Sequence, residues 1–142
     1  MKKKLISALI VLTLFLSKAS AQTTGVPDTL AYLQTIVANK ALYIGQPLSL
    51  LINHLQIDVK RFGPFSRIHH QMDKETSTSL GFYCPTGPND RHRLFPALRI
   101  FWNPYLNAAF SESLFTQFGG CWAPQVYTHY SQAIVRDIDI LD

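Results

Sequence analysis

The sequence predicts an α+β domain in two layers, an antiparallel sheet of about four strands with helices packed on one face. Three observations predict it. Apolar residues recur every three to four positions before Gln56, alternate by twos through the centre, and return to helical spacing after Trp102. The alternating segments follow one another through turn-rich stretches, which suits antiparallel pairing. The regular strand–helix alternation of a parallel doubly wound sheet is missing.

Asp28 can cap a first helix, with Leu30, Leu33, Ile36 and Val37 on one stripe and an end near Asn39-Lys40. Gly45 breaks the run. Pro47 suits the first turn of a second helix, where its missing N–H costs nothing. Leu48, Leu51, Ile52 and Leu55 then fall at i, i+3, i+4 and i+7. A helix so short depends on what it packs against.

The period then becomes twofold. Residues 56–62 alternate and are rich in β-branched and aromatic side chains, and Gly63-Pro64 is expected to end that strand. Residues 67–72 are a candidate edge strand. In residues 76–84, Leu80, Phe82 and Cys84 share one face while Ser79, Gly81 and Tyr83 share the other. After a loop at 85–90, residues 94–102 form the return strand, with Leu98, Ile100 and Trp102 on one side. Pro96 places its beginning at an edge or bulge.

Asn103-Pro104 reads as a helix start, followed by Leu106, Phe110, Leu114 and Phe118 at every fourth position. Gly119-Gly120 ends that helix. Ala123-Pro124 opens another, with Val126, Tyr127 and Tyr130 inward. Residues 133–141 close the chain as a strand with Ile134, Ile138 and Ile140 on one side.

Residues 1–21 carry the three-part pattern of a secretory signal: Lys2, Lys3 and Lys4, an apolar run over 5–16, and Ala19-Ser20-Ala21 for cleavage before Gln22. The apolar run is short for a membrane span, so no transmembrane segment is expected after cleavage. Residues 22–27 form a flexible leader and 28–142 a single domain. The expected location is the periplasm or the medium.

Four of the 13 basic residues lie in the signal and none of the nine acidic ones do, so the exported chain balances nine against nine. The basic footprint of a nucleic-acid binder is absent. An exported compartment permits a disulfide between Cys84 and Cys121. The alternative is two buried, unpaired thiols.

The stretch Tyr43-Ile44-Gly45-Gln46-Pro47-Leu48-Ser49, with residues 57–62 and the closing Ile134-Val135-Arg136-Asp137-Ile138, resembles small exported bacterial proteins of no known activity. The resemblance implies export and a compact α+β fold, and carries no catalytic residue. The Gly-x-Pro-x-Ser helix start is also similar to helix openings in periplasmic inhibitor-like and outer-membrane-assembly domains.

Candidate chemistry is sparse. Gly120-Cys121-Trp122 is similar to the surroundings of a papain-type nucleophile, but Cys121 lies near the end of the chain and only His129 follows it. His69, His70, His92 and His129 with Asp73, Glu75 and Asp90 lack zinc-ligand spacing, and adjacent His69 and His70 would point to opposite faces of a strand. No metal or cofactor is expected.

Arg91, His92 and Arg93 form a basic tip between two strands that could meet an anionic partner. The other reading is a solvated turn. Tyr83 and Phe101 mark the sheet face left free of helices, either a binding surface or a larger core or dimer interface. The expectation is a non-catalytic binding module for a protein or envelope component. A small hydrolase or metal-dependent enzyme using Cys121 or the histidines, and a self-associating envelope subunit, are the alternatives.

Overall fold

The computed structural model describes residues 28–65, 70–84 and 95–141. Helices α1 (Thr29–Ala38) and α2 (Leu48–His54) precede strands β1 (Arg61–Phe65), β2 (Lys74–Gly81) and β3 (Ala97–Asn107). Helices α3 (Ala108–Phe118) and α4 (Pro124–Tyr130) follow, and β4 (Val135–Leu141) closes the order. The four strands pair antiparallel in sequence order, β1-β2-β3-β4. The fold is α+β, with the helices on one face of the sheet.

Local chemistry explains the boundaries. The Asp28 side chain accepts from the Ala31 N–H and starts α1. Pro47 caps α2 without a side-chain bond. The first N–H groups of α2 instead donate to the Ala133 and Ser131 carbonyls, tying that short helix to the segment leading into β4. Asn107 caps α3 by accepting from the Phe110 N–H. Gly119, in left-handed conformation at φ 60°, ends it.

The core lies between the sheet and the helices. Leu33, Leu48, Leu51, Leu80, Leu98, Ile100, Trp102, Val126, Tyr130, Val135 and Ile138 are fully buried in one cluster. Tyr130 stacks on both Trp102 and Trp122. Each large side chain removed from water here contributes roughly 1.5–3 kcal/mol.

Four local expectations are corrected. Gly63 and Pro64 lie inside β1, and residues 56–60 are irregular. Phe62 N–H points outward to the Gly120 carbonyl, so the missing N–H of Pro64, two residues on, falls on the same outer side of an edge strand and breaks no ladder bond. Asn103-Pro104 does not begin a helix: β3 runs on through it to Asn107, and α3 starts at Ala108. The buried face of α3 is Ala108, Ser111 and Leu114, leaving Phe110 exposed. Within the candidate edge strand at 67–72, the described residues 70–72 form a turn. The signal and leader, residues 1–27, lie outside the described residues.

Two irregularities shape the sheet. Between β2 and β3 the register jumps from Glu75↔Leu106 to Ser77↔Phe101, so residues 102–105 leave the ladder. Between β3 and β4, Phe101 pairs with Asp137 and Trp102 with Val135, leaving Arg136 as an extra residue. Such bulges bend a strand and re-aim its side chains.

Candidate functional site

The first bulge turns Glu75 inward. Strict alternation would place it with Ser77 and Ser79 on the face away from the helices, yet Glu75 is fully buried and joins Thr78 on the core side. Its carboxylate accepts hydrogen bonds from the Thr78 hydroxyl, from Ser111 Oγ at 2.5 Å and from Tyr130 Oη at 3.0 and 3.2 Å. The Trp102 indole N–H donates to Thr78 Oγ1 at 2.8 Å, which frees the Thr78 proton for Glu75. Ser111 comes from α3 and Tyr130 from α4, so one carboxylate ties two helices to the sheet.

Burial pushes the Glu75 carboxyl above its ordinary value, against the hydroxyls that favour its charged form. Burial, and then the neighbouring Glu75 charge, push the Tyr130 phenol up. His129, half-buried at the rim, is held below its ordinary value by desolvation.

His129 Nε2 lies 2.9 Å from Ser111 Oγ. Serine has one proton. While that proton goes to Glu75, Nε2 must be the donor, which fixes the tautomer. This polarity is the reverse of a nucleophile–base pair, in which imidazole takes the serine proton. Ser111 is also fully buried. As arranged, the cluster satisfies polar groups in the core and presents no nucleophile to a substrate.

The opposite face of the sheet has a different chemistry. Phe65, Ser77, Phe101 and Asp137 form one cross-strand row, and Gly63, Ser79, Arg99 and Asp139 the next. The Arg99 guanidinium lies 5.3 Å from the Phe65 ring centroid, and that of Arg136 lies 5.6 Å from both Phe101 and Tyr105. Asp137 is engaged by Lys40 at 2.7 Å, and that bond holds its carboxyl below the ordinary range. Among the described residues neither Arg99 nor Arg136 has an ion-pair partner within 4 Å. Ser77 Oγ and Arg99 Nε, both buried on this face, have no hydrogen-bond partner among the described residues.

The residues expected from sequence are only partly gathered. Phe101 is on the free face, under Arg136. Tyr83 lies past the end of β2 and stacks on Phe95 at 4.0 Å, away from the Phe101 row. Arg91, His92 and Arg93 lie outside the described residues. The expected disulfide is corrected: Cys84 and Cys121 are free and exposed. Cys121 bridges Arg61 on the outer side of β1, while Gly81, three residues before Cys84, pairs with Arg61 on the inner side. His129 turns to Ser111, Phe110 and Tyr130. No group of three His, Cys, Asp or Glu side chains suited to a metal occurs among the described residues, and no described helix is long and apolar enough to cross a membrane.

Sequence reading missed Ser111, Tyr130 and Thr78 as partners of Glu75, and missed Arg99 and Arg136. A single acidic residue inside an otherwise Ser/Thr-rich strand, Glu75-Thr76-Ser77-Thr78-Ser79, was the available signal.

No protein-family model, no curated protein and no solved structure matches the chain.

Proposed function

We propose that the protein is a non-catalytic binding module that takes an acidic segment of an envelope protein on the sheet face left free by its helices. One observation carries this reading: Arg99 and Arg136 are each laid over aromatic rings on that face, with no carboxylate within 4 Å of either among the described residues. An arginine held by stacking loses less freedom when its planar fork meets a carboxylate. The amino-terminal signal pattern supports action outside the cytoplasm.

The test is retention of the purified domain on an immobilised oligoglutamate peptide. The domain is expected to bind and to be released by salt, because exposed charges are screened. Arg99→Gln and Arg136→Gln are each expected to weaken binding about tenfold, the scale of one charge-assisted hydrogen bond. Retention that ignores both substitutions overturns the reading. Sedimentation of the unliganded domain as a dimer that Arg99→Gln dissociates would point instead to self-association.

A further inference from the structure

A cleft of about 430 Å³ opens where both irregularities of the sheet meet. Its lining is Lys74 from the start of β2, Asn103, Pro104 and Tyr105 from the segment of β3 that leaves the ladder, and Arg136, the extra residue of β4. The bulges therefore build it. Without the excursion at 102–105, these three residues would lie in register against β2 and leave no recess.

The chemistry of the lining is one-sided. Lys74 and Arg136 bring positive charge, Asn103 and Tyr105 bring neutral donors, and among the described residues no carboxylate lines the cleft. Neither cation has an ion-pair partner among the described residues. Asp137, next to Arg136 in the chain, is bonded to Lys40. Arg136 is positioned by the Phe101 and Tyr105 rings, and its Nη1 reaches Tyr105 Oη at 3.4 Å. Two unpaired cations beside neutral donors make a setting for an oxyanion. The volume exceeds that of a bare ion and falls in the range of small-ligand sites.

We infer that this cleft binds the phosphate or carboxylate head of a small organic anion, with Arg136 as the fork, Lys74 as the point charge and Pro104 and Tyr105 against the ligand body. The inference rests on reading the helix-free face as an anion-binding surface, and it adds a defined site and ligand class.

The experiment is an amide-shift titration of the isotopically labelled protein with phenyl phosphate, phenylacetate, inorganic phosphate and acetate. Saturable shifts are expected at Lys74, Asn103, Tyr105 and Arg136, with the two ring-bearing probes binding more tightly than their bare heads. Which ring-bearing probe binds better distinguishes a phosphate ester from a carboxylate source. Lys74→Met and Arg136→Met are each expected to weaken the better probe about tenfold. Arg136→Lys, which keeps the charge and loses the fork, should retain the fold and still bind less well.

Shifts that are linear, spread over the surface or unchanged in Arg136→Lys overturn the inference. Oligoglutamate retention that persists alongside silent cleft amides sinks the cleft alone and leaves the face reading standing. Loss of both sinks both.

Discussion

The two faces of the sheet handle polar groups in opposite ways. On the helix side, Glu75 is fully buried and its carboxylate meets three hydroxyls, with Trp102 and His129 completing the chain of donors. On the other side, Arg99 and Arg136 lean on rings and leave donors unmatched among the described residues. A buried group cannot turn to bulk solvent, so an unmatched one in the core would cost roughly 1–3 kcal/mol and selection for folding closes the network. On the free face, exposed Arg136 keeps its donors in reach of solvent, whereas Arg99 Nε, buried without a partner among the described residues, carries a cost. On the proposed reading, the closed cluster governs stability and the open one recognition. Substitutions should separate the two: the helix side should lose folding free energy and keep binding, and the free face should do the reverse.

The largest expected effect is at Glu75. Glu75→Ala removes the acceptor shared by Thr78, Ser111 and Tyr130. Ser111 has a second acceptor in the Asn107 carbonyl at 3.1 Å, so the loss falls mainly on the other two. Urea unfolding should show a destabilisation of about 3 kcal/mol or more, from two stranded buried donors and a cavity. Oligoglutamate binding by the fraction still folded should be unchanged. A loss under about 1 kcal/mol would mean that the network is less closed than its geometry.

Glu75 and His129 should also leave opposite marks on the pH dependence of stability. The folded Glu75 carboxyl titrates above its ordinary 4.5. The folded state therefore holds that proton longer, and the contribution is full below 4.5 and lost as pH rises through the folded value. His129 titrates below its ordinary 6.5. Its contribution is full above 6.5 and lost as pH falls through the folded value. Urea midpoints from about pH 4 to about pH 8 should flatten on the Glu75 side in Glu75→Gln and on the His129 side in His129→Gln. If neither variant alters its own limb, both groups titrate normally in the fold.

A smaller effect distinguishes two adjacent glycines at the end of α3. Both have positive φ, Gly119 at 60° and Gly120 at 75°. A Cβ on Gly119 meets nothing within 4 Å, whereas one on Gly120 would stand 2.8 Å from Phe115 Cε2. Gly119→Ala should cost about 1 kcal/mol for the left-handed backbone alone. Gly120→Ala should cost more by what it takes to move the Phe115 ring, and it should loosen the bond from Phe62 N–H to the Gly120 carbonyl. Equal thermal shifts for the pair would show that the half-exposed ring yields freely.

Legibility in the sequence followed the same division. Leu33, Leu48, Leu51, Leu80, Leu98, Ile100 and Trp102 are inward as their periodicity predicts, because apolar burial is what periodicity measures. The element order and the fold class follow from it. Features set by interruptions of the pattern were hidden. The bulge beside Glu75 reverses the face that residue would take by alternation, and no local residue announces it. Asn103-Pro104 carries a helix-start signature, yet tertiary pairing keeps β3 extended to Asn107. The fourfold spacing through Phe110 drifts around a 3.6-residue helix, and Ser111 takes the inward position. The cleft depends on both bulges, so Arg136 and Lys74 meet across strands whose register only the folded chain defines.

The smallest stability effect is expected where the binding effect is largest. Arg99, half-buried, and Arg136, exposed, each gain a stacking contact on the order of 0.5–1 kcal/mol. Glutamine in either place keeps part of that packing through its own methylenes. Arg99→Gln and Arg136→Gln should therefore move the urea midpoint by less than about 0.5 kcal/mol, while weakening oligoglutamate retention. Arg99→Gln should also remove a small cost, because Arg99 Nε is buried without a partner among the described residues. A folded state that falls apart on losing either arginine would make these side chains part of the fold's support, and the contrast between the two faces would then have no functional meaning.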